Sequence, residues 1–374
     1  MRIIYCIPEI YSSGGKERVL INKANWFARH GHEVIIITTE QKGRNAFYRL
    51  DANVRLVDIG INYWDNLQRP FLKKIYHYHS NRIRHFSRLR DCINKYKPDV
   101  VVSLFAQEMR HLVRMRDKSK KVLEYHFAKQ RILDSRRKGM LFWWDSWNYL
   151  KILRQIRKFD RFVVLTDADR NSWGGELNPI VIPNALPFDV GNSACLRNKK
   201  AIAVGRFVYE KGFDRLVDAW TNIYKMCPDW VLDVYGDGPL KPQIQAMINE
   251  RGLSDVVKLH PACSNIQEKY HEASICLMTS RTEGFSMVLA EAQACGLPCI
   301  AYDVPSGPAT IINNSVDGYL INDGNLVNFV NKAILLMNDS NARQTMGRKA
   351  QINALRFSED SIMKMWTNVF DLNV

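Results

Sequence analysis

The sequence predicts an α/β protein made of two doubly wound parallel-sheet domains in tandem. Three observations carry this expectation. The chain has 374 residues, more than one domain usually holds. Short Val/Ile-rich runs alternate with helical stretches along its length, as βαβ units require. The alternation also halts near residues 181–200 and then restarts.

The first half opens with RIIYCIP (2–8), a buried strand. Lys16 to His30 follows with helical spacing, and Gly31 suits its carboxyl-terminal cap. Further strands are expected at 33–39, 54–59, 99–104, 121–126 and 161–166. VIPNALPFD (181–189) carries two prolines and breaks the periodicity, and GNSACLRNKK (191–200) is polar, so this stretch reads as the linker. The second half places strands at 200–205, 230–236, 256–260, 275–279 and 298–302. Helices are expected at 213–226, 239–252, 265–273, 285–295, 307–314 and 326–338, with a polar helical stretch over 341–371. The expected domains are 1–190 and 191–353, and a cleft at the carboxyl ends of their strands is where ligands bind in open α/β sheets.

Composition narrows the function classes. Hydrophobic residues make up 46% and charged residues 24%, which excludes a disordered or fibrous chain. The amino terminus, MRIIYCIPEIYSSGG, reads as a first strand and its turn rather than a signal peptide. No run of about eighteen apolar residues occurs, so no membrane-spanning helix is expected. The eight cysteines form no C-x-x-C pair, and Cys6, Cys276 and Cys299 sit in apolar runs. Reduced, buried thiols in a cytoplasmic protein fit this better than disulfides or zinc.

The net charge of +15 is uneven. Residues 1–190 hold 35 Lys/Arg and 19 Asp/Glu, a balance of +16, against 18 and 19 in residues 191–374, a balance of −1. An excess confined to one half points to an anionic partner. No nucleic-acid motif accompanies it, so an anionic lipid surface or a phosphate-bearing acceptor ranks above nucleic acid.

Three segments carry candidate chemistry. Gly14-Gly15, between the first strand and first helix, allows close backbone approach at a helix amino terminus, which suits a diphosphate. The turn is neither G-x-G-x-x-G nor a P-loop, and a ligand-free turn is the competing reading. Arg206 and Lys211 flank one glycine-bordered loop after the first strand of the second half. Together they can neutralise a departing diphosphate; a solvated surface pair is the alternative. Glu283 and Gly284 form a turn after ICLMT, and a helix starting near Phe285 would leave the N–H groups of Phe285, Ser286 and Met287 free. Glu283 can hold a sugar and Glu291 a ribose diol through their carboxylates. The residues around Glu291 are apolar, and a buried carboxylate requires a partner.

With SSGGKERV (12–19), GRFVYEKG (205–212), VYGDGP (234–239), SRTEGFSMVLAEAQACGLPCIAYD (280–303) and DGYLI (317–321) in order, the chain resembles the retaining glycosyltransferases of family 4. The E-x7-E segment and the upstream R-x4-K are the specific part. The resemblance implies the GT-B fold, two Rossmann-like domains facing a central cleft. It implies a nucleotide-sugar donor on the second domain, a glycan or polyprenyl-diphosphate-linked acceptor on the first, and retention of configuration. It implies that Arg206 and Lys211 contact the donor phosphates, Glu283 the sugar and Glu291 the ribose. The N–H groups after Gly284 would help hold sugar and phosphate, and Gly15 would lie against the diphosphate. No metal and no cofactor are expected. A last helix, near Ala354–Leu372, would return to the first domain. His126 in LEYHF matches a position near the anomeric centre, against the reading of a structural histidine. HPACSN (260–265) departs from the family pattern where the nucleobase is met, which opens the identity of the base. YDVPSGP (302–308) resembles members that build bacterial surface polysaccharides, often from UDP-sugars.

Two basic, aromatic stretches remain. Leu72–Arg90 carries Lys73, Lys74, Arg82, Arg84, Arg88 and Arg90 with Ile75, Tyr76, Ile83 and Phe86 at helical spacing. Lys129–Arg161 carries Arg136, Arg137, Lys138, Lys151, Arg154, Arg157 and Lys158 around Phe142, Trp143, Trp144, Trp147 and Tyr149. Peripheral attachment to the inner face of the cytoplasmic membrane and a core-facing aromatic stripe both fit. The competing functions are a nucleotide-sugar epimerase or disaccharide phosphorylase on the same fold, and a non-catalytic nucleotide-sugar binding protein. A nicotinamide dehydrogenase is weaker, since no dinucleotide fingerprint is present.

Overall fold

The computed structural model describes residues 1–66, 70–129, 141–175 and 177–371, apart from the side chains of Phe71, Leu72, Leu141 and Phe142. The described chain divides into two compact units. The first holds residues up to Leu165, Arg170–Ile182 and the chain from Met363 on; the second holds Thr166–Asp169 and Pro183–Ile362.

The first unit is built on a seven-stranded sheet in the order β3-β2-β1-β4-β5-β6-β7. Its strands are β1 (Arg2–Ile7), β2 (Glu33–Thr38), β3 (Val54–Asp58), β4 (Val100–Ser103), β5 (Lys120–Tyr125), β6 (Arg161–Val164) and β7 (Ile180–Val181). All pair in parallel. Ile3 to Ile7 are all buried, because a sheet covered on both faces leaves no side for alternating polar residues. Its helices are α1 (Gly15–Arg29), α2 (Phe71–Tyr96), α3 (Met109–Leu112) and α4 (Leu141–Ile156). Ile4, Ile35, Val101, Leu123 and Val164 form the core of one face with Leu89 and Ile93 of α2. α5 (Asp167–Trp173) begins beyond the last of these strands but one.

The second unit is a six-stranded parallel sheet, β10-β9-β8-β11-β12-β13. The strands are β8 (Lys200–Val204), β9 (Val231–Tyr235), β10 (Val257–His260), β11 (Ile275–Met278), β12 (Cys299–Asp303) and β13 (Gly318–Asn322). Between and after them run α6 (Phe213–Met226), α7 (Lys241–Glu250), α8 (Ile266–Glu272), α9 (Met287–Ala294), α10 (Pro308–Ile311), α11 (Leu326–Asn338) and α12 (Ser340–Ala354); α13 (Glu359–Val369) starts in this unit and from Met363 on belongs to the first. Trp220, Trp230, Phe207 and Phe329 fill this core. The caps of α11 and α12 are chemical: Asn325 accepts from the Asn328 N–H at 3.0 Å, and Asp339 from the Ala342 N–H at 2.9 Å.

Four expectations change. β7 and β13 are strands the sequence did not announce as such; the first is only two residues long, between Pro179 and Pro183. The stretch 341–371 is two helices broken by a 3-10 turn at Leu355–Phe357. The last helix therefore starts at Glu359 rather than Ala354, and Leu372 lies outside the described residues. α9 starts at Met287, not near Phe285. Among the described residues no helix is long and apolar enough to cross a membrane.

Candidate functional site

In the second sheet β8 lies between β9 and β11, so the chain order reverses there. β8 and β11 are direct neighbours, with Ala201 opposite Ile275 and Ile202 opposite Cys276. The loops leaving their carboxyl ends carry Arg206–Gly212 and Thr279–Ser286. A switch point of this kind is where open α/β sheets bind ligands.

The two loops are stitched together. Gly212 has a φ of +61°, and a Cβ there would run into the Thr279 carbonyl, so glycine permits the approach. The Thr279 hydroxyl donates to the Gly212 carbonyl at 2.8 Å, and the Arg281 N–H to the Glu210 carbonyl at 2.7 Å. The Arg281 guanidinium lies over the Tyr209 ring, donates to the Tyr209 carbonyl at 2.9 Å and pairs with Asp214. Its hydrogen bonds to Asp214 hold that carboxyl below the usual range.

This frame brings Lys211 and Glu283 together. The Lys211 ammonium donates to Glu283 Oε1 at 2.6 Å, and the Ser280 hydroxyl donates to the same oxygen at 2.7 Å. Glu283 is buried; Lys211 is partly open. Arg206, on the same loop, is exposed and has no ion pair or side-chain hydrogen bond among the described residues. Ser286, capping α9, is a non-glycine residue at φ +68°, a conformation that costs about 1–2 kcal/mol. It is 5% exposed, and its hydroxyl has no hydrogen-bond partner among the described residues. Strain and an orphaned hydroxyl together mark a site shaped for something beyond the fold.

The Leu289 and Ala290 N–H groups bond back to the Ser286 carbonyl. Of the three amides expected to be free, Met287 therefore opens the helix, while Gly284, Phe285 and Ser286 form the turn before it. Gly307 sits against this turn. A Cβ there would lie 2.6 Å from both Glu283 Cβ and Ser286 Oγ. Gly307→Ala is therefore expected to destabilise the protein by about 1–3 kcal/mol through overpacking. Urea unfolding measures this, and an unchanged midpoint would contradict the packing. Glu291 lies one turn into α9, buried, with the Tyr270 hydroxyl 3.3 Å from Oε2. Ser280 and Gly307 escaped the sequence reading, because neither type signals chemistry by itself.

Gly14, Gly15 and His126 belong to the first unit. Gly14 caps α1 without a side-chain bond, and Gly15 is exposed at its first turn. Glu17, in that turn and buried, faces Lys16 at 3.7 Å. Its negative charge already answers part of the helix dipole. His126 follows β5 and is 9% exposed. Its Nε2 lies 3.1 Å from Glu124 Oε1 but not in hydrogen-bonding alignment, and has no other partner among the described residues. Burial would raise the Glu124 carboxyl, but Lys23, whose ammonium is 2.6 Å from both oxygens, and His126 hold it down to about 2. Lys23 also lies 3.7 Å from the centre of the Trp366 ring on α13. The sequence reading missed Lys23 and Glu124.

Deeper in this unit, burial and the neighbouring His111 push His85 down to about 3. Its ring centroid is 4.6 Å from that of His111. Its folded value lies below the ordinary 6.5, so the unfolded chain binds the extra proton and stability falls as pH drops below 6.5. The expected slope from this group is about 1.4 kcal/mol per pH unit down to its folded value. His85→Gln should flatten the melting temperature against pH in that window; an unchanged slope would contradict the assignment.

Two family models match consecutive parts of the chain. "Glycosyltransferase Family 4" matches residues 13–189, and "Glycosyl transferases group 1" matches residues 193–352. The chain belongs to glycosyltransferase family 4. A glycosyltransferase of Haemophilus influenzae, described as uncharacterized, is 26% identical over 98% of this chain and 99% of its own length. The amylovoran biosynthesis glycosyltransferase AmsD of Erwinia amylovora is 31% identical over 57% of this chain and 62% of its own. Among solved structures, Staphylococcus aureus TarM, crystallised with fondaparinux, α-GlcNAc-glycerol and UDP, superposes with a TM-score of 0.78 at 16% identity, covering 99% of each chain. At that identity the likeness concerns the fold, which is GT-B.

Proposed function

We propose that this glycosyltransferase moves a hexose or N-acetylhexosamine from a UDP-sugar to a glycan or polyprenyl-diphosphate-linked acceptor in bacterial surface polysaccharide synthesis. In this reading it retains anomeric configuration and needs neither metal nor cofactor. The contact between Lys211 and Glu283 at the switch point carries the reading. Arg206 and Lys211 neutralise the diphosphate as its bond to the sugar breaks. Glu283 holds sugar hydroxyls, Ser286 and the amides after Gly284 hold sugar and phosphate, and Glu291 holds the ribose diol. Gly15 lies against the diphosphate, and His126 Nε2 engages a sugar hydroxyl near the anomeric carbon. The C1–O bond to the phosphate breaks and the acceptor oxygen bonds C1 on the same face. The acceptor's proton passes to the departing phosphate oxygen. AmsD's role in amylovoran synthesis and the UDP bound to TarM support the acceptor class and the base.

Thermal unfolding with a panel of UDP-, GDP-, ADP- and dTDP-sugars, with and without EDTA, tests the donor. A ligand that binds the native state raises its stability by mass action. A shift with UDP-sugars, unchanged by EDTA, is expected. No shift with any donor at saturating concentration would contradict the reading.

The same proposal places the protein on the inner face of the cytoplasmic membrane. On α4, Trp143, Trp147, Leu150 and Arg154 recur at helical spacing, and Trp143 is 78% exposed, which disfavours the core-stripe reading. Lys151 lies over the Trp147 ring. Tyr76 and Ile83 on α2 are also exposed, beside Lys73, Lys74, Arg84 and Arg90. Tryptophan beside lysine and arginine suits an anionic lipid interface. Arg136, Arg137 and Lys138 lie outside the described residues. The protein should co-sediment with anionic liposomes at low salt and be released by carbonate; absence of binding at low salt would refute attachment.

A further inference from the structure

The carboxyl end of β5 carries a buried charge network that the donor reading leaves unused. Glu124 and His126 stand two residues apart there, the spacing that puts side chains on one face of a strand. α1 packs on that face with Lys23, whose ammonium is 2.6 Å from both Glu124 oxygens. The Trp366 ring of α13 lies 3.7 Å from the ammonium and the Tyr5 ring of β1 5.6 Å from it, and both ease the burial of its charge. All of these residues belong to the first unit, and Lys23, Glu124 and His126 are buried.

Stability alone does not account for this network, because apolar side chains of similar volume often replace a buried ion pair without loss. What the pair supplies is a fixed charge. Burial works against the Glu124 carboxylate, and Lys23 keeps it ionised. Its Oε1 then faces His126 Nε2 at 3.1 Å. A neutral imidazole holds its proton on one nitrogen, and the group beside each nitrogen decides which. A lone pair on Nε2 would face a carboxylate oxygen, whereas a proton there is attracted to it. Nε2 is therefore the protonated nitrogen. Its N–H is not aligned on Glu124, and it has no hydrogen-bond partner among the described residues, so the donor is left for another acceptor.

We propose that the Lys23–Glu124 pair fixes His126 in the Nε2–H tautomer, which makes Nε2 a hydrogen-bond donor to a sugar hydroxyl oxygen and not a base. Glu124 and Lys23 are positioning residues: neither touches the sugar, and both act through His126. With its proton already in place, Nε2 has no lone pair for the acceptor's proton, which leaves the departing phosphate oxygen to take it. The contact with sugar rests on the transferase reading; the tautomer does not.

Nitrogen-15 NMR of the full chain, labelled at its nine histidines, tests this at a pH about two units above the ordinary histidine value of about 6.5, where imidazole is neutral. The resonances lost in His126→Gln are those of His126. Its Nε2 should give the shift of a protonated nitrogen and its Nδ1 that of an unprotonated one. In Lys23→Met/Glu124→Leu, which strands no charge, the two shifts should move toward each other as the Nδ1–H form becomes populated. The native spectrum keeps the test open if that variant does not fold. UDP release with membrane extract and saturating UDP-glucose, UDP-galactose or UDP-N-acetylglucosamine should fall about tenfold in the double variant, the worth of one hydrogen bond. His126→Ala should fall further than His126→Gln, whose amide keeps a donor near the Nε2 position. A protonated Nδ1 in the native protein, shifts that the double variant leaves unmoved, or equal rates in the Ala and Gln variants would overturn the proposal. The predicted tautomer in a chain that releases no UDP would instead count against the transferase reading and leave the tautomer standing.

Discussion

Arg206→Ala is expected to lower kcat/KM by about 10²–10³, the usual loss when one preorganised group facing developing charge is removed. The melting temperature without ligand should hardly move. Arg206 is exposed and carries no ion pair or side-chain hydrogen bond among the described residues, so truncation leaves no buried group orphaned. Such surface changes stay within about 0.5 kcal/mol. Lys211 differs in this respect. It neutralises Glu283, so Lys211→Ala also leaves a buried carboxylate with only the Ser280 hydroxyl as side-chain donor among the described residues. That variant should lose activity and stability together. Steady-state kinetics beside thermal unfolding separates the two cases. Equal destabilisation by both variants, or an Arg206→Ala enzyme of normal kcat/KM, would contradict the assignment.

Lys23→Met is expected to destabilise the protein by about 3–5 kcal/mol, because it leaves Glu124 as a buried charge without its ammonium partner, with His126 left beside it. Both side chains are almost fully buried, at 4% and 1% exposure. Methionine fills similar volume, so the loss is electrostatic rather than a cavity. The double variant Lys23→Met/Glu124→Leu should recover most of it, since removing both partners removes the stranded charge. The pH dependence gives a second signature. In the native protein Glu124 titrates near 2, below its unfolded value, so its stabilisation is present above the unfolded value and is lost as pH falls toward 2. Without Lys23, burial is opposed by His126 alone and the carboxyl moves up from its native value, so the variant should lose less stability than the native protein as pH falls. Urea midpoints across pH measure both effects. A single variant as stable as the native protein would show that the pair contributes nothing.

Most of the architecture was legible because a parallel sheet buried on both faces demands continuous apolar runs, and α/β alternation follows directly from them. β7 was not legible: two residues before a proline carry no periodicity. The start of α9 was misplaced because Ser286 takes a left-handed backbone that ordinarily signals glycine. At the site, Arg206, Lys211, Glu283 and Glu291 stood out by type and spacing. That Lys211 meets Glu283 was not visible, since it depends on β8 and β11 lying side by side across 72 residues of chain. Lys23 occupies an ordinary helical position, and only the fold reveals that it is buried against Glu124 and Trp366. The tryptophans of α4 illustrate the converse: helical spacing gives one face but not which way it points.

Release of nucleoside diphosphate on incubation with UDP-sugars and acceptor-bearing membrane extract tests the central claim most directly. The predicted result is UDP release that requires both donor and extract and falls by about 10²–10³ in Arg206→Ala. Donor binding without release, or release that survives Arg206→Ala and Glu283→Ala, would contradict it.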